Sequence, residues 1–276
     1  MIWIPILETF TLSLFRKEPG EFYFIGLTNF FRLFGDPLWR KSFQVTISFA
    51  LMEVPIAIAL SLLVALMLNT IKNTGIRGIF TASFFFAYVV PLVAVALVWR
   101  FMFLPGQVGM LNSLLGNLGL GPIRWLNSEE WALRSLVIVR VWKQTGYLAL
   151  LFLAGLQSIP GVLYEAAAVD GANPWHRFRH ITLPLLVPTL AFVVIIATLG
   201  AFLTFTEIYV MTESDGTGTS RGGPNYSTHA MAYFIYSQTI RYQHEGYGSA
   251  ASAIFFVATV GISYIQFRFL RARHDY

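Results

Sequence analysis

The chain has 276 residues, of which 56% are hydrophobic and 12% charged, with mean hydropathy +0.62 and formal net charge +5. Soluble domains carry about 25% charged residues, so half that value, together with apolar runs of about 20 residues, excludes an ordinary soluble globule and puts the chain in a bilayer. The absence of cysteine excludes disulfides, thiolate metal sites and thiol chemistry, and lysines and arginines are scattered without a basic block, which suits loops beside membrane spans better than a nucleic-acid face.

The first fifteen residues, MIWIPILETFTLSLF, are apolar but too short to cross a membrane alone. They lack a basic leader and a small-residue cleavage site, so they read as the outer part of a first helix, its beginning missing, rather than as a signal peptide. Spanning helices are predicted over about 44–68, 80–104, 134–156, 187–211 and 249–270, each long enough for about 30 Å at 1.5 Å per residue. The expectation is an all-α integral membrane protein, a single transmembrane domain over 1–276, with six spans (five is the alternative). Three loops, about 16–43, 105–133 and 212–248, lie on one side, none large enough for a separate domain. The stretch Glu213 to Asn225, ESDGTGTSRGGPN, is expected to be irregular. If the loop at 157–186 faces the cytosol, the inner segments carry Lys72, Arg77, Arg177, Arg179, Arg268, Arg271 and Arg273. The outer ones carry Arg16, Lys17, Arg32, Arg40, Lys41, Arg124, Arg221 and Arg241 over about twice the length, so charge density favours this orientation weakly.

Between the fourth and fifth spans lies EAAAVDGANPWHRFRHITLP, Glu165 to Pro184, too polar for hydrocarbon. Ser158 and Pro160 suit a helix start, and Gly171 can take positive φ and stop the helix. Asn173 caps a second short helix with Pro174 at its first position, and Pro184 and Pro188 mark entry into the next span. The result is helix, sharp turn, helix at the membrane surface. The first helix offers a small face at Ala166, Ala167 and Ala168, apolar anchors at Leu163 and Tyr164, and negative charge at Glu165 and Asp170. An ordinary amphipathic connector is the plainer alternative.

The spacing Glu165-Ala166-Ala167, then Gly171, Ile181 and Leu183-Pro184 resembles the EAA loop of permease subunits of bacterial type I ATP-binding-cassette importers. Leu153-Ala154-Gly155-Leu156-Gln157 before Ile159-Pro160, Gly26-Leu27-Thr28-Asn29-Phe30, Thr206 to Thr212, Gly222-Gly223-Pro224 with Thr228, and Gly246 to Ala250 extend the likeness to nearly everything from about residue 22 onward. It is most similar to the carbohydrate branch of maltose-type and glycerol-3-phosphate permeases. One departure is an insertion, Glu213 to Arg221, before Gly-Gly-Pro. The resemblance implies a bacterial inner-membrane subunit with a cytosolic coupling helix. A second, homologous permease would complete the path, and two ATP-binding subunits would hold ATP and Mg. An extracytoplasmic binding protein would deliver a sugar or polyol phosphate. The ATPase-coupling residues would be Glu165, Ala166, Ala167, Asp170, Gly171, Ile181, Leu183 and Pro184.

Substrate-path candidates follow from the cost of charge within spans and from what sugars need: aromatic faces for C–H surfaces, and polar groups for hydroxyls. They are Phe202, Phe205, Thr206, Glu207 and Tyr209 on the fifth span, with Glu53 and Lys143, which could instead pair with each other. Arg140 lies three residues before Lys143, and Arg100 sits near a span end and could reach the surface. Ordinary packing is the alternative for each. There is no G-x-x-x-x-G-K-[ST] phosphate loop, so hydrolysis by that route falls to partner subunits. His176 and His180 lie four apart without an H-E-x-x-H pattern and beside Arg177 and Arg179, so a metal is not expected, and no nucleophile motif is visible. The chain reads as a transport subunit rather than an enzyme. The rival is a secondary transporter driven by an ion gradient, with Glu53 and Glu207 as coupling groups; a membrane enzyme has little support.

Overall fold

A computed structural model describes residues 3–18, 21–212 and 222–271. The order of elements is α1 (Trp3–Leu12), a hairpin of β1 (Phe15–Glu18) and β2 (Glu21–Phe24), α2 (Thr28–Gly35), α3 (Pro37–Thr70), α4 (Thr74–Val89), α5 (Leu92–Met102) and α6 (Met110–Asn117). Then come α7 (Glu129–Gln157), α8 (Gly161–Val169), α9 (Pro174–Arg177), a π turn (Phe178–Thr182), α10 (Leu183–Phe202), α11 (Thr206–Thr212), α12 (Met231–Tyr236) and α13 (Glu245–Arg271). The antiparallel hairpin, with Phe15 opposite Phe24, is the one sheet among the described residues.

Four helical stretches among the described residues are long and apolar enough to cross a membrane: Pro37–Thr70, Glu129–Gln157, Pro174–Phe202 and Glu245–Arg268. The structure differs from expectation at two spans. The one expected over 80–104 is two helices, α4 and α5, bent by 89°. Pro91 lacks an N–H and forces the residue before it out of helical conformation, and Val90 accordingly has ψ 134°. The pair counts as a fifth crossing if it is one broken span. The span expected over 187–211 stops at Phe202, and the polar and aromatic segment after it forms the separate α11. Pro184 and Pro188 do not open the span either, because helix runs from Pro174 to Phe202. The π turn before Pro184 widens the backbone where a proline ring would clash with the preceding turn.

The sorting of side chains is that of a membrane helix rather than a soluble one. Along α3 many of the buried positions are small or polar, Ser42, Thr46, Ala50, Glu53, Ala57, Ser61 and Ala65, beside the larger Trp39, Val45, Phe49 and Leu68, while Leu51, Leu63 and Met67 are exposed. Without a hydrophobic drive between helices in lipid, small residues allow close packing and large apolar ones face the tails.

The chain forms two compact units. The first comprises Met1–Leu51, Leu92–Val137 and Gly200–Ile262. Here Asn29 Nδ2 donates to the carbonyls of Ser13 (2.9 Å) and Phe15 (3.0 Å), and Lys17 pairs with Glu245. A side chain at Gly246 would strike the Phe15 carbonyl, so the start of α13 approaches the hairpin only because that residue is glycine. Asp36 accepts from the Leu38 amide (2.7 Å) and from the Tyr247 hydroxyl (2.6 Å). The buried Asn112 of α6 holds the loop that follows that helix, accepting from the Ile123 amide (2.9 Å) and the Trp125 indole (3.0 Å).

The second unit comprises Met52–Pro91, Ile138–Leu199 and Ser263–Tyr276. Gly146 on α7 lies against the Phe84 carbonyl of α4, and Gly155 against Thr189 of α10, where any Cβ would collide. Gln266 Nε2 donates to Thr198 Oγ1 at 2.9 Å, tying α13 to α10.

Candidate functional site

Two regions contain the residues singled out from the sequence. The first is the elbow after α7. Ser158 does not cap the following helix; its hydroxyl donates to the Gly155 carbonyl at 2.8 Å, closing α7. The N-cap of α8 is Pro160, with no side-chain bond. The C-terminal end follows the expectation. Gly171 takes φ +75°, its amide donates to the Ala168 carbonyl (3.2 Å), and the Ala172 amide donates to that of Ala167 (2.9 Å). This pair of bonds is a Schellman closure, which satisfies the last carbonyls of a helix. Asn173 then accepts from the His176 amide at 2.8 Å, with Pro174 at the first helical position.

The elbow is fastened from within. The Tyr164 hydroxyl lies 2.9 Å from that of Thr182, which is buried in the π turn and lies 3.5 Å from the Arg177 carbonyl. Arg177 Nε donates to the Ala172 carbonyl at 2.8 Å. Tyr164 is therefore a half-buried strut rather than an outward anchor. What faces outward is Glu165, Ala166, Ala168, Asp170 and Gly171, with Val162, Leu163, Val169 and Trp175 exposed around them and Ala167 half-buried. Val169 is 89% exposed and Trp175 66%, so the tip is apolar as well as acidic. The sequence pattern passed over Val162, Val169 and Trp175 because α8 is apolar at most positions and so marks no face. Ile181 and Leu183 are half-buried in the π turn and the first turn of α10, and Pro184 is exposed. His176 and His180 stack with ring centroids 4.0 Å apart, and among the described residues no group of three or more metal-ligating side chains forms.

The second region surrounds α11. Phe205 stacks on Tyr209 with centroids 5.5 Å apart, and Tyr236 of α12 closes on both, at 5.0 and 5.4 Å. Tyr233 lies behind, 6.4 Å from Phe205 and 6.3 Å from Tyr236. Tyr233 and Tyr236 were not visible as partners in the sequence, since they lie more than twenty residues from Phe205. Tyr209 is 39% exposed, whereas Tyr233 is fully buried. Thr206 is half-buried in the same helix, and Glu207 is wholly buried. Phe202 is directed elsewhere, against Phe255. Arg100 does not run to the surface; it donates to the Val210 carbonyl at 3.2 Å, which suits a cation at a helix C-terminus. His229 stands edge-on to Tyr233 at 4.8 Å, its Nδ1 2.8 Å from Ser42 Oγ. Burial holds the imidazole down to about 4 from its ordinary 6.5, so it is neutral at physiological pH.

Glu53 and Lys143 belong to the other unit. Glu53 is fully buried two residues before Pro55. The Lys143 ammonium donates to the carbonyls of Ala87 (3.3 Å), Tyr88 (3.0 Å) and Val90 (2.6 Å), at the broken end of α4. It also lies over the Tyr88 ring, which stacks on Tyr147 at 4.5 Å. This geometry makes Lys143 a cap on a helix end. Residues 222–248, expected as part of the loop over about 212–248, contain α12 and a π turn over Ser237–Arg241 and are largely buried. The insertion Glu213 to Arg221 lies outside the described residues.

The family profile described as the inner membrane component of binding-protein-dependent transport systems matches residues 57–273. The chain belongs to that family. This permease is 35% identical over 272 residues to the lactose transport system permease protein LacF of Rhizobium radiobacter, a match covering 98% of this chain and 88% of LacF. It is 36% identical over 277 residues to the trehalose/maltose transport system permease protein MalF of Thermococcus litoralis, covering 99% and 90%. In fold it matches a crystal structure of a bacterial alginate ABC transporter in complex with an alginate pentasaccharide-bound periplasmic protein, with TM-score 0.82 and 23% identity over 99% of this chain and 88% of that one. The permease is thus a multi-pass inner-membrane subunit of an ABC importer and not an enzyme.

Proposed function

We propose that this permease forms, with a second and similar permease, the path for a sugar delivered by an extracytoplasmic binding protein, and that the elbow at Glu165–Gly171 couples that path to two ATP-binding subunits. The names of LacF and MalF, both permeases of sugar transport systems at 35% and 36% identity, support the substrate class. The elbow carries the coupling reading. A short helix closed by a Schellman turn and braced by Tyr164 and Arg177 moves as one piece. Its outward Leu163, Val169 and Trp175 are exposed, and burying one such side chain in a partner contributes about 1.5–3 kcal/mol. Glu165 and Asp170 flank that apolar tip and suit polar or basic groups in the partner's cleft.

In this reading ATP and Mg are held by the partner subunits. When those close on ATP the elbow moves as a rigid body and tilts the helices joined to it. Substrate released by the binding protein enters past Phe205, Thr206, Glu207 and Tyr209, and hydrolysis resets the path. Glu165→Lys tests the docking: the variant inserts normally, but ATPase co-purification and binding-protein-stimulated hydrolysis both fall. Wild-type levels of both would refute the lever role.

A further inference from the structure

The segment between α1 and α3 carries an apolar surface outside both regions described above. We infer that α2 is an interfacial helix, seated among the phospholipid headgroups of the leaflet at the Pro37 end of α3. Leu27, Phe31 and Phe34 face the acyl chains, and Arg32 and Arg40 face lipid phosphates. The inference goes beyond the coupling and substrate readings and rests only on membrane residence.

The roll of α2 is set by its inner face. Asn29 and Leu33 are buried, and Asn29 is held by the Ser13 and Phe15 carbonyls. At about 3.6 residues per turn, Leu27, Phe31 and Phe34 fall on the opposite side, where they are 58%, 74% and 61% exposed. Two observations identify lipid as what covers them. The first is continuity with the membrane face of α3. Phe34 meets Trp39 edge-on at 5.6 Å, and Trp39 stacks on Phe43 at 6.0 Å. Aromatic rings thus run from α2 along the first turns of α3, which continues to the exposed Leu51. Only Gly35 and Asp36 separate Phe34 from Pro37, the first residue of the span, so at most about 11 Å of chain joins them. Rings at the entry of a span are typical of the membrane–water interface.

The second observation is charge. From Phe22 to Lys41 the charged residues are Arg32, Asp36, Arg40 and Lys41. Asp36 is engaged within the protein, accepting from the Leu38 amide and the Tyr247 hydroxyl. Arg32 and Arg40 are exposed, and the Arg32 guanidinium lies over the Tyr247 ring at 5.0 Å. An apolar helix face flanked by cations is the pattern of a helix lying on phospholipid. A protein partner within the bilayer would call instead for small residues that permit close approach, and the stripe contains none.

The cysteine-free chain allows a single reporter. Phe31→Cys is labelled with bimane, whose apolar rings stand in for the phenyl, in the assembled importer. The vesicles are of phosphatidylethanolamine and phosphatidylglycerol. Phospholipids bearing a nitroxide at shallow or deep acyl positions report the depth of the label, and iodide reports its contact with water. The label is expected about 5–10 Å below the headgroup surface, shielded from iodide and unmoved when the binding protein is added. The same label at Glu130→Cys, in the first turn of α7, is quenched by iodide and not by the lipids. Leu27→Asp is the second variant. Aspartate at this N-cap position favours the helix but puts a charge in the stripe. The label at residue 31 then loses lipid quenching and gains iodide quenching, although α2 is intact. Iodide access that falls only when the binding protein is added would make the stripe a docking face for that protein. A label beyond the reach of both quenchers would place it against the partner permease. Either result overturns the inference, as does full iodide access throughout or a label unchanged by Leu27→Asp.

Discussion

Replacing Gly171 isolates one physical quantity in the elbow, the cost of a left-handed residue. Its φ is +75°, and a Cβ built there meets nothing within 4 Å, so a substitution strains the backbone without creating a clash. An ordinary L-residue in this region costs about 1–2 kcal/mol, and asparagine, which tolerates it, costs less. A β-branched residue lies at or above the top of that range, roughly 2–3 kcal/mol. The two closing bonds, Gly171 to Ala168 and Ala172 to Ala167, open together when the turn is lost. At a factor of ten per 1.4 kcal/mol, Gly171→Val shifts the ratio of closed to open turn by roughly thirtyfold or more, Gly171→Ala by about tenfold, and Gly171→Asn by less. Amide hydrogen exchange at residues 171 and 172 reads this ratio directly. Binding-protein-stimulated ATP hydrolysis by the assembled importer should fall in the same order, Gly, Asn, Ala, Val. Equal exchange in the Val and Gly proteins would refute the conformational argument. Exchange that follows the order while hydrolysis stays constant would separate the turn from coupling.

Other perturbations test the supports. Tyr164→Phe removes the hydroxyl shared with buried Thr182 and should cost about 1 kcal/mol, seen as faster exchange across 161–172 with little change in global unfolding. Lys143→Met keeps the apolar stem but strips the cap from the Ala87, Tyr88 and Val90 carbonyls. Leaving buried acceptors unsatisfied predicts roughly 2–4 kcal/mol lost in denaturant unfolding in detergent; less than about 1 kcal/mol would show that the cap is dispensable. His229 supplies a pH dependence. Because its folded pKa, about 4, lies below its ordinary 6.5, the unfolded chain binds the extra proton first as pH falls. Its contribution is full above 6.5 and is lost progressively toward 4, roughly 3 kcal/mol in all. His229→Asn should flatten that part of the stability profile, and an unchanged slope would place the titration elsewhere.

Membrane residence, the approximate spans and the turn chemistry of the elbow were legible in the sequence. Those properties are local: a run of apolar side chains is insoluble wherever it packs, glycine alone takes φ +75° without strain, and asparagine followed by proline starts a helix by its own geometry. Pro91 was equally visible, but whether a proline kinks a helix or breaks it by 89° depends on what receives the freed carbonyls. Here the Lys143 ammonium does, from a helix more than fifty residues away in the chain. The same limit applied to the aromatic residues. With 25 phenylalanines and 12 tyrosines, composition could not say which rings meet. Tertiary packing decided that Phe202 turns to Phe255 while Phe205 and Tyr209 gather Tyr236. It likewise decided that Tyr164 braces the elbow from within and that Val169 and Trp175 stand out from it. In a chain this apolar, hydrophobicity carries little positional information, and which side chain faces lipid, core or partner follows from shape and hydrogen bonding between segments distant in sequence.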